Sequence, residues 1–559
     1  MPKMRGYEYV AEFFKRTGAS HIFLVPTNLY ASLVELEGSD ITRVLCHSEK
    51  AAAYMADGYA KASGRPGIVI VQGGPGGTNV LAGLAEPWQA CSPVVVFTRG
   101  QPFDRTYTDS YQEVKADFAP VTKYNAQVNA IHRIPDMFRQ AFREATSGVP
   151  KPVHLEVQPD AELAEADLPE PFVEERFTRY PAFRPEPEAD AVQEAARALL
   201  EAERPVIVAG GGAVVSGAWD EVTQLAEMLS IPVATSPSGK GIIPETHPLA
   251  LGVCGAYSRG CATRVVNMAD LVVFVGAHGG GQVTNNFTAP RRGTPVIQID
   301  INPGQIGKNY PAKVGLTGDA KVTVQRLMEA LEAMPSKAPK SEWADEARRL
   351  VREWLNEWEP WLSSNAVPIR DERLCRELSD CLPRNTLVVC DTGYSAAWSG
   401  AFLEMRTAGK NFIRCEGSLG WAFPAALGAK CGAPQRPVLC FNGDGGIWYH
   451  IGELETAVRY GINIVTIVRN NHALLQDTHH LDVNYGGRGH ILSEFVPMNF
   501  ARLAEDMGAF GVRVEQPQEI RPAVEAAFAS GKPAVVDVVV DREGYAPARG
   551  GERQAYQLV

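Results

Sequence analysis

The stretch that decides the fold runs from 437 to 477, PVLCFNGDGGIWYHIGELETAVRYGINIVTIVRNNHALLQD. Its apolar opening at 437–441 reads as a buried strand, Gly443-Asp444-Gly445-Gly446 as a tight turn, 451–460 as a helix, and 462–468 as a second strand leading into Asn470-Asn471. Asp444 at a strand's carboxyl end is a hard oxygen ligand, and the glycines let backbone amides approach phosphate closely. The next strand returns an amide oxygen from Asn471 to the same point, and a backbone carbonyl just beyond, at Ala473, extends the set. Mg²⁺ wants about six oxygens and takes the remainder from phosphate and water. A GDG alone reads sooner as a plain turn with a solvated Asp. The Asn-Asn pair closing the following strand favours a metal-diphosphate site at Gly443, Asp444, Gly445, Gly446, Asn471 and Ala473.

Outward from this unit, the chain of 559 residues has room for three to four domains. Apolar residues make up 45% and charged residues 21%, an ordinary globular balance. With 65 acidic against 54 basic side chains there is no basic excess to coat nucleic acid. The ten cysteines show no CxxC pair or zinc spacing, which fits reduced thiols. No apolar run approaches the ~20 residues of a membrane span, and the N-terminus has no signal core. A cytoplasmic enzyme with a small-molecule substrate, and neither nucleic acid nor membrane as partner, is expected.

Short β-branched runs alternate with amphipathic stretches along the chain. Strands are expected at 21–25, 67–72, 93–98, 205–209, 271–275, 295–301, 386–390, 437–441, 462–468 and 534–540. The alternation predicts an α/β fold of three doubly wound parallel-sheet domains, at 1–165, 186–335 and 362–545. A Glu/Pro-rich stretch at 158–191, too polar to form a core, and a seam at 334–342 mark the boundaries.

The GDG…NN pattern resembles the thiamin diphosphate fingerprint. The first block supports it: CHSEKAAAYMADGYAKASG resembles the helix that opens on the catalytic glutamate of thiamin diphosphate enzymes, and Glu49 falls on that position. Read alone, Glu49 is a carboxylate favoured by a helix N-terminus; the resemblance implies that it drives the proton transfers activating the cofactor. The likeness covers nearly the whole chain. It is closest to acetolactate synthase-like proteins, with benzoylformate decarboxylase and cyclohexane-1,2-dione hydrolase also similar. Gln72–Asn79 (QGGPGGTN) looks like the family's SGPGATN loop, and Gly417–Ala426 matches GxLG(x)₃PAA. Asp391-Thr-Gly-Tyr-Ser395 resembles a diphosphate-contacting turn. The three domains are then pyrimidine-binding, central (Rossmann-like) and diphosphate-binding. The resemblance places Pro26, Glu49, Gly74, Pro75, Asn79, Gly393, Tyr394, Ser395, Gly417 and Leu419 beside the cofactor, Leu419 as an apolar wedge. It implies a homodimer or homotetramer with sites at subunit interfaces.

Several positions depart from the synthase pattern. Asn28 stands where the synthases are bare, and is either a substrate-side amide or a turn residue. His47-Ser48 replaces Arg-His before the glutamate, Ser48 reading as a helix cap. Gln112 is similar to a substrate-side glutamine, in a loop of different length. Gly276–Thr284 lacks the arginines and acids that hold FAD in the synthases, so FAD is allowed by its glycines but not expected. His472 is a further substrate-side candidate, and the tail from Gly544 onward is either disordered or a lid.

The expected activity is thiamin diphosphate- and Mg²⁺-dependent making or breaking of a carbon–carbon bond on 2-oxo acids, acetolactate synthase-like carboligation first. Decarboxylation of a 2-oxo acid, or lysis or hydrolysis of a 1,2-diketone, is the alternative. A non-catalytic regulatory subunit of the same fold is opposed by the presence of Glu49, Asp444 and Asn471 together.

Overall fold

The computed structural model describes residues 3–26, 28–108, 112–335 and 339–547. A short strand, β1 (Lys3–Arg5), precedes a first sheet made of β2 (His21–Leu24), β3 (Thr42–Leu45), β4 (Gly67–Val71), β5 (Val94–Arg99), β6 (Tyr124–Val128) and β7 (Val153–Val157). β8 (Glu165–Asp167) returns to pair antiparallel with β1. The second sheet holds β9 (Pro205–Ala209), β10 (Val233–Thr235), β11 (Ala250–Val253), β12 (Leu271–Val275), β13 (Val296–Asp300) and β14 (Val314–Thr317). The third holds β15 (Leu387–Cys390), β16 (Phe412–Arg414), β17 (Val438–Gly443), β18 (Val465–Asn470), β19 (Phe510–Val514) and β20 (Ala534–Val539).

All pairings inside the three large sheets are parallel. The inner strands explain why: β4, β7, β9, β12 and β13 are buried along their whole length, as strands covered by helices on both faces must be. The first sheet runs β3-β2-β4-β5-β7-β6 and the third β16-β15-β17-β18-β20-β19. These are the same winding, second–first–third–fourth–sixth–fifth. The middle sheet, β11-β10-β9-β12-β13-β14, follows the dinucleotide-fold order instead.

The first and third sheets share one core. Phe23, Val69, Tyr54 and Met55 from the first sheet's side and Trp421, Phe423, Val389 and Val438 from the third's lie in one buried cluster. Its seam is the crossing of two small-residue helices, Glu49–Ser63 after β3 and Ala422–Gly432 after β16. A Cβ on Gly58 would overlap the Ala425 carbonyl, and one on Gly428 would overlap that of Met55, so glycine sets the approach of the two backbones. Trp421 Nε1 donates to Asp57 Oδ2 at 2.9 Å across the same seam. Helix Ser341–Leu362 straps the remaining sheet on: Trp343 and Leu350 enter the middle sheet's core, while Trp354 stacks on Phe402 beside the third.

Three expectations are corrected. The Glu/Pro-rich stretch at 158–191 is not coreless, since it contributes β8 and buries Phe177 and Tyr180, whose hydroxyl donates to the Ala60 carbonyl at 2.8 Å. The strand expected at 462–468 is shifted to Val465–Asn470, because β20 pairs with it out to Asn470. Among the described residues there are ten further strands, including β3, β6 and β16, which are too short or too polar to stand out.

Candidate functional site

In parallel sheets, ligands collect beyond the carboxyl ends of strands. At that edge of the third sheet β17 delivers Gly443, β18 delivers Asn470, and β15 and β16 deliver the segments beginning at Asp391 and Cys415.

Asp444 is the hub of the first pair. Its Oδ1 accepts from the Gly445 amide at 2.8 Å, and its Oδ2 accepts from Asn471 at 3.0 Å, Ala473 at 3.3 Å and His472. Asn471 Oδ1 accepts from Ala473 N at 3.2 Å. The 471–473 turn therefore wraps one carboxylate, with His472 at φ 61° making the reversal. Burial pushes the Asp444 carboxyl up to about 6, against the pull of the Asn471, Gly445 and His472 amides. The neighbouring asparagine serves differently, for Asn470 Nδ2 donates to Asp537 at 2.8 Å and to the Met498 carbonyl at 2.9 Å. The Asp444 carboxylate and the Asn471 amide oxygen, brought together at this turn, are hard oxygen donors of the kind that Mg²⁺ takes.

The second pair frames this turn. Asp391 accepts from Thr392 at 2.8 Å, Gly420 at 3.2 Å and Ala422 at 3.0 Å, joining the end of β15 to the loop after β16. Burial lifts its carboxyl to about 6. Gly393, at φ 63° and ψ −138°, opens helix Tyr394–Phe402 in a conformation a side chain would strain. Ser395 and Tyr394 are buried; Tyr394 Oη meets His479 Nδ1 at 2.8 Å. Gly417 is exposed and Leu419 half-buried on the loop after β16.

At the first sheet, Ser48 caps the helix by accepting from Ala51 N at 3.3 Å, which fixes Glu49 in the first turn. Asn79 Nδ2 donates to Glu49 Oε2 at 3.3 Å, and Glu49 Oε1 would lie 3.2 Å from a Cβ on Gly76. Gly74 precedes helix Pro75–Gln89, and Gln112 sits over it, donating to Thr78 Oγ1 at 3.3 Å. Pro26 is half-buried at the exit of β2, next to Thr27, which lies outside the described residues. Asn28 is fully buried: Nδ2 donates to the Phe97 carbonyl at 3.2 Å, and Oδ1 has no partner among the described residues. His47 turns to the opposite helix, its amide on Glu453 and its ring on Glu455 at 2.7 Å. The predicted residues thus form two groups, one at each of the two like-wound sheets. The tail read as either disordered or a lid lies outside the described residues beyond Pro547.

Sequence reasoning overlooked Glu86. This buried carboxylate, on helix Pro75–Gln89, accepts from the amides of Glu416, Gly417 at 3.2 Å and Ser418 at 3.1 Å, holding the loop that carries Leu419. A Glu inside the apolar run GLAEPW was its one visible signal. Elsewhere, a cavity of about 420 Å³ opens where the middle sheet's order reverses, lined by Gly211, Gly212, His278, Gly280, Asp300 and Arg414.

Three family descriptions match the chain in order. They are the thiamine pyrophosphate enzyme N-terminal TPP binding domain at residues 4–120, central domain at 192–327 and C-terminal TPP binding domain at 391–538. A probable acetolactate synthase large subunit of Methanocaldococcus jannaschii is 33% identical over 96% of this chain and 92% of its own length. The acetolactate synthase isozyme 3 large subunit of Escherichia coli K12 is 29% identical, covering 97% of this chain and 96% of its own. The acetolactate synthase large subunit of Haemophilus influenzae is likewise 29% identical, covering 97% of this chain and 95% of its own.

Proposed function

The chain belongs to the thiamine pyrophosphate enzymes of the acetolactate synthase type, and from this we propose that it ligates 2-oxo acids, pyruvate first, with Mg²⁺ joining cofactor to protein. The observation that carries the metal assignment is the wrapping of Asp444 by 471–473, with Asn471 Oδ1 on the same turn. Asp444, Asn471 and the Ala473 carbonyl would hold Mg²⁺. Gly443, Gly445, Gly446, Gly393, Tyr394 and Ser395 would receive the diphosphate.

Bound thiamin diphosphate supplies a nucleophilic carbon and an electron sink for the bond beside the carbonyl. Glu49 would hold and return a proton at the pyrimidine ring. Asn79, already donating to Glu49, keeps that carboxylate oriented, and Gly74, Pro75 and Pro26 leave space beside it. Leu419 and Gly417 would shape the bound cofactor. Asn28, Gln112 and His472 would meet substrate. Because the Glu49 group and the Asp444 group sit at different sheets, two copies of the chain pairing one group with the other support a homodimer or homotetramer with sites between subunits. Domain ranges of 1–165, 186–335 and 362–545 are in keeping with one large sheet in each. No described helix is long and apolar enough to cross a membrane, in line with a cytoplasmic setting. Gly276–Thr284 lacks the arginines and acids that would hold FAD, and FAD is not part of this reading.

A second reading, decarboxylation or 1,2-diketone cleavage, is favoured by one observation. The Asn28 amide oxygen, near the end of β2, is buried without a partner among the described residues and could bind a polar group that carboligation does not need.

Purified protein with pyruvate, thiamin diphosphate and Mg²⁺ tests both. A ligated product, identified by mass and chirality and lost in Glu49→Gln, is the expected result. Acetaldehyde and CO₂ alone would favour the decarboxylase. Absence of turnover with 2-oxo acids but cleavage of a 1,2-diketone would overturn carboligation.

A further inference from the structure

β18 runs Val-Thr-Ile-Val, buried throughout, and then buries a guanidinium: Arg469 is 2% exposed. Taking an arginine out of water costs several kcal/mol unless its hydrogen bonds are met. Asp371, 3% exposed at the start of helix Asp371–Cys381, meets two of them, Oδ1 accepting from Nε and Oδ2 from Nη2 at 2.8 Å. A guanidinium has five N–H donors, and this fork meets two of them. The remaining edge of the guanidinium points elsewhere. Nη1 donates to Ser395 Oγ at 3.3 Å, and it lies 4.0 Å from where a Cβ on Gly443 would stand. Register explains the reach, since Arg469 is directly opposite Gly443 across the β17–β18 pair.

Ser395 and Gly443 are both residues proposed above to receive the diphosphate, and the inference rests on that reading. A hydroxyl that accepts from an arginine has its own proton left to donate, so Nη1 turns Ser395 into a donor. We propose that Arg469 is a positioning residue for the diphosphate: it orients the Ser395 hydroxyl toward the phosphate oxygens and turns the positive end of its ion pair with Asp371 toward the metal ion. Asp371 holds the fork in place, and the cofactor's anionic end is then bound jointly by Mg²⁺ and by an ion pair of fixed orientation built into the sheet. Mg²⁺ carries less of the neutralisation than it would over an apolar strand end.

Thiamin diphosphate binding measured by calorimetry across a Mg²⁺ series tests this without any turnover. Arg469→Met combined with Asp371→Asn removes the pair without stranding a buried charge. The expected result is about a tenfold rise in Kd at saturating Mg²⁺, the scale of one charge-assisted hydrogen bond, and a higher half-saturating Mg²⁺ concentration. Ser395→Ala should reproduce part of the loss. Arg469→Lys, which keeps the charge but not the fork, serves if the double variant does not fold, and should shift both quantities in the same direction by less. A purely structural pair would lower the melting temperature and leave the Mg²⁺ dependence unchanged; that result overturns the inference. Failure of the unaltered protein to bind thiamin diphosphate at any Mg²⁺ concentration would overturn the cofactor assignment and this inference together.

Discussion

Gly428→Ala should destabilise the protein, although an exposed helix would gain up to about 1 kcal/mol from the same change. The new Cβ would fall within 3.0 Å of the Met55 oxygen, carbon and Cα, all backbone atoms that no rotamer can move. Helices Glu49–Ser63 and Ala422–Gly432 must therefore separate by about 1.5 Å to restore ordinary contact distances. A gap of about 1 Å already forfeits about half of each dispersion contact worth about 0.1–0.2 kcal/mol, and some tens of contacts are affected. The loss is about 1–3 kcal/mol, in the range of overpacked cores, and it exceeds the propensity gain. Scanning calorimetry at one fixed protein concentration reads the effect. Gly452→Ala is the control, because its position has a helical φ of −57° and nothing within 4 Å of the added carbon. Gly428→Ala melting at or above the unaltered protein would refute the argument that glycine sets this crossing.

Glu86→Gln keeps one acceptor oxygen but turns an NH₂ toward amides that need an acceptor, a cost of about 1–3 kcal/mol. Amide exchange in 416–418 should accelerate at least about tenfold while 444–446 is unchanged, as read by hydrogen-exchange mass spectrometry; equal protection in both proteins would show that Glu86 does not hold the loop. His154 is buried against Phe118 with ring centroids 3.7 Å apart, and bonds Thr98 at 2.7 Å and Asn125 at 2.8 Å. Burial pushes its imidazole down to about 3, below the unfolded value of about 6.5. Protons therefore bind the unfolded chain more readily, and stability falls as pH drops below about 6.5, by about 2 kcal/mol at pH 5. Urea midpoints should show this slope in the unaltered protein and a flatter one in His154→Gln.

What was legible in the sequence was what lies close along the chain. Gly443-Asp444-Gly445 and Asn470-Asn471 belong to one strand–helix–strand unit, and Ser48-Glu49 to a single helix turn, so spacing alone exposes them. Glu86 and Arg469 were not legible, because their partners stand 331 and 98 residues away and each reads locally as one charged residue in an apolar run. The two asparagines of the pair were told apart only through Asp537, which no local pattern connects to Asn470. Strands such as Tyr124–Val128 escaped because, at a sheet edge, only Val128 is fully buried and hydrophobic alternation has no reason to develop.

The helices that cross at Gly58 and Gly428 follow the equivalent strand, the second in chain order, of two sheets with the same winding. Each glycine receives a carbonyl from the other helix, which is the reciprocity of a twofold dimer contact realised inside one polypeptide. Two separate chains joined in this way would come apart on dilution. Here the middle sheet is the tether, and the effective concentration of one half around the other is set by covalent connection. The seam beneath Glu49 therefore stays closed at any protein concentration, while contacts between whole chains remain subject to mass action.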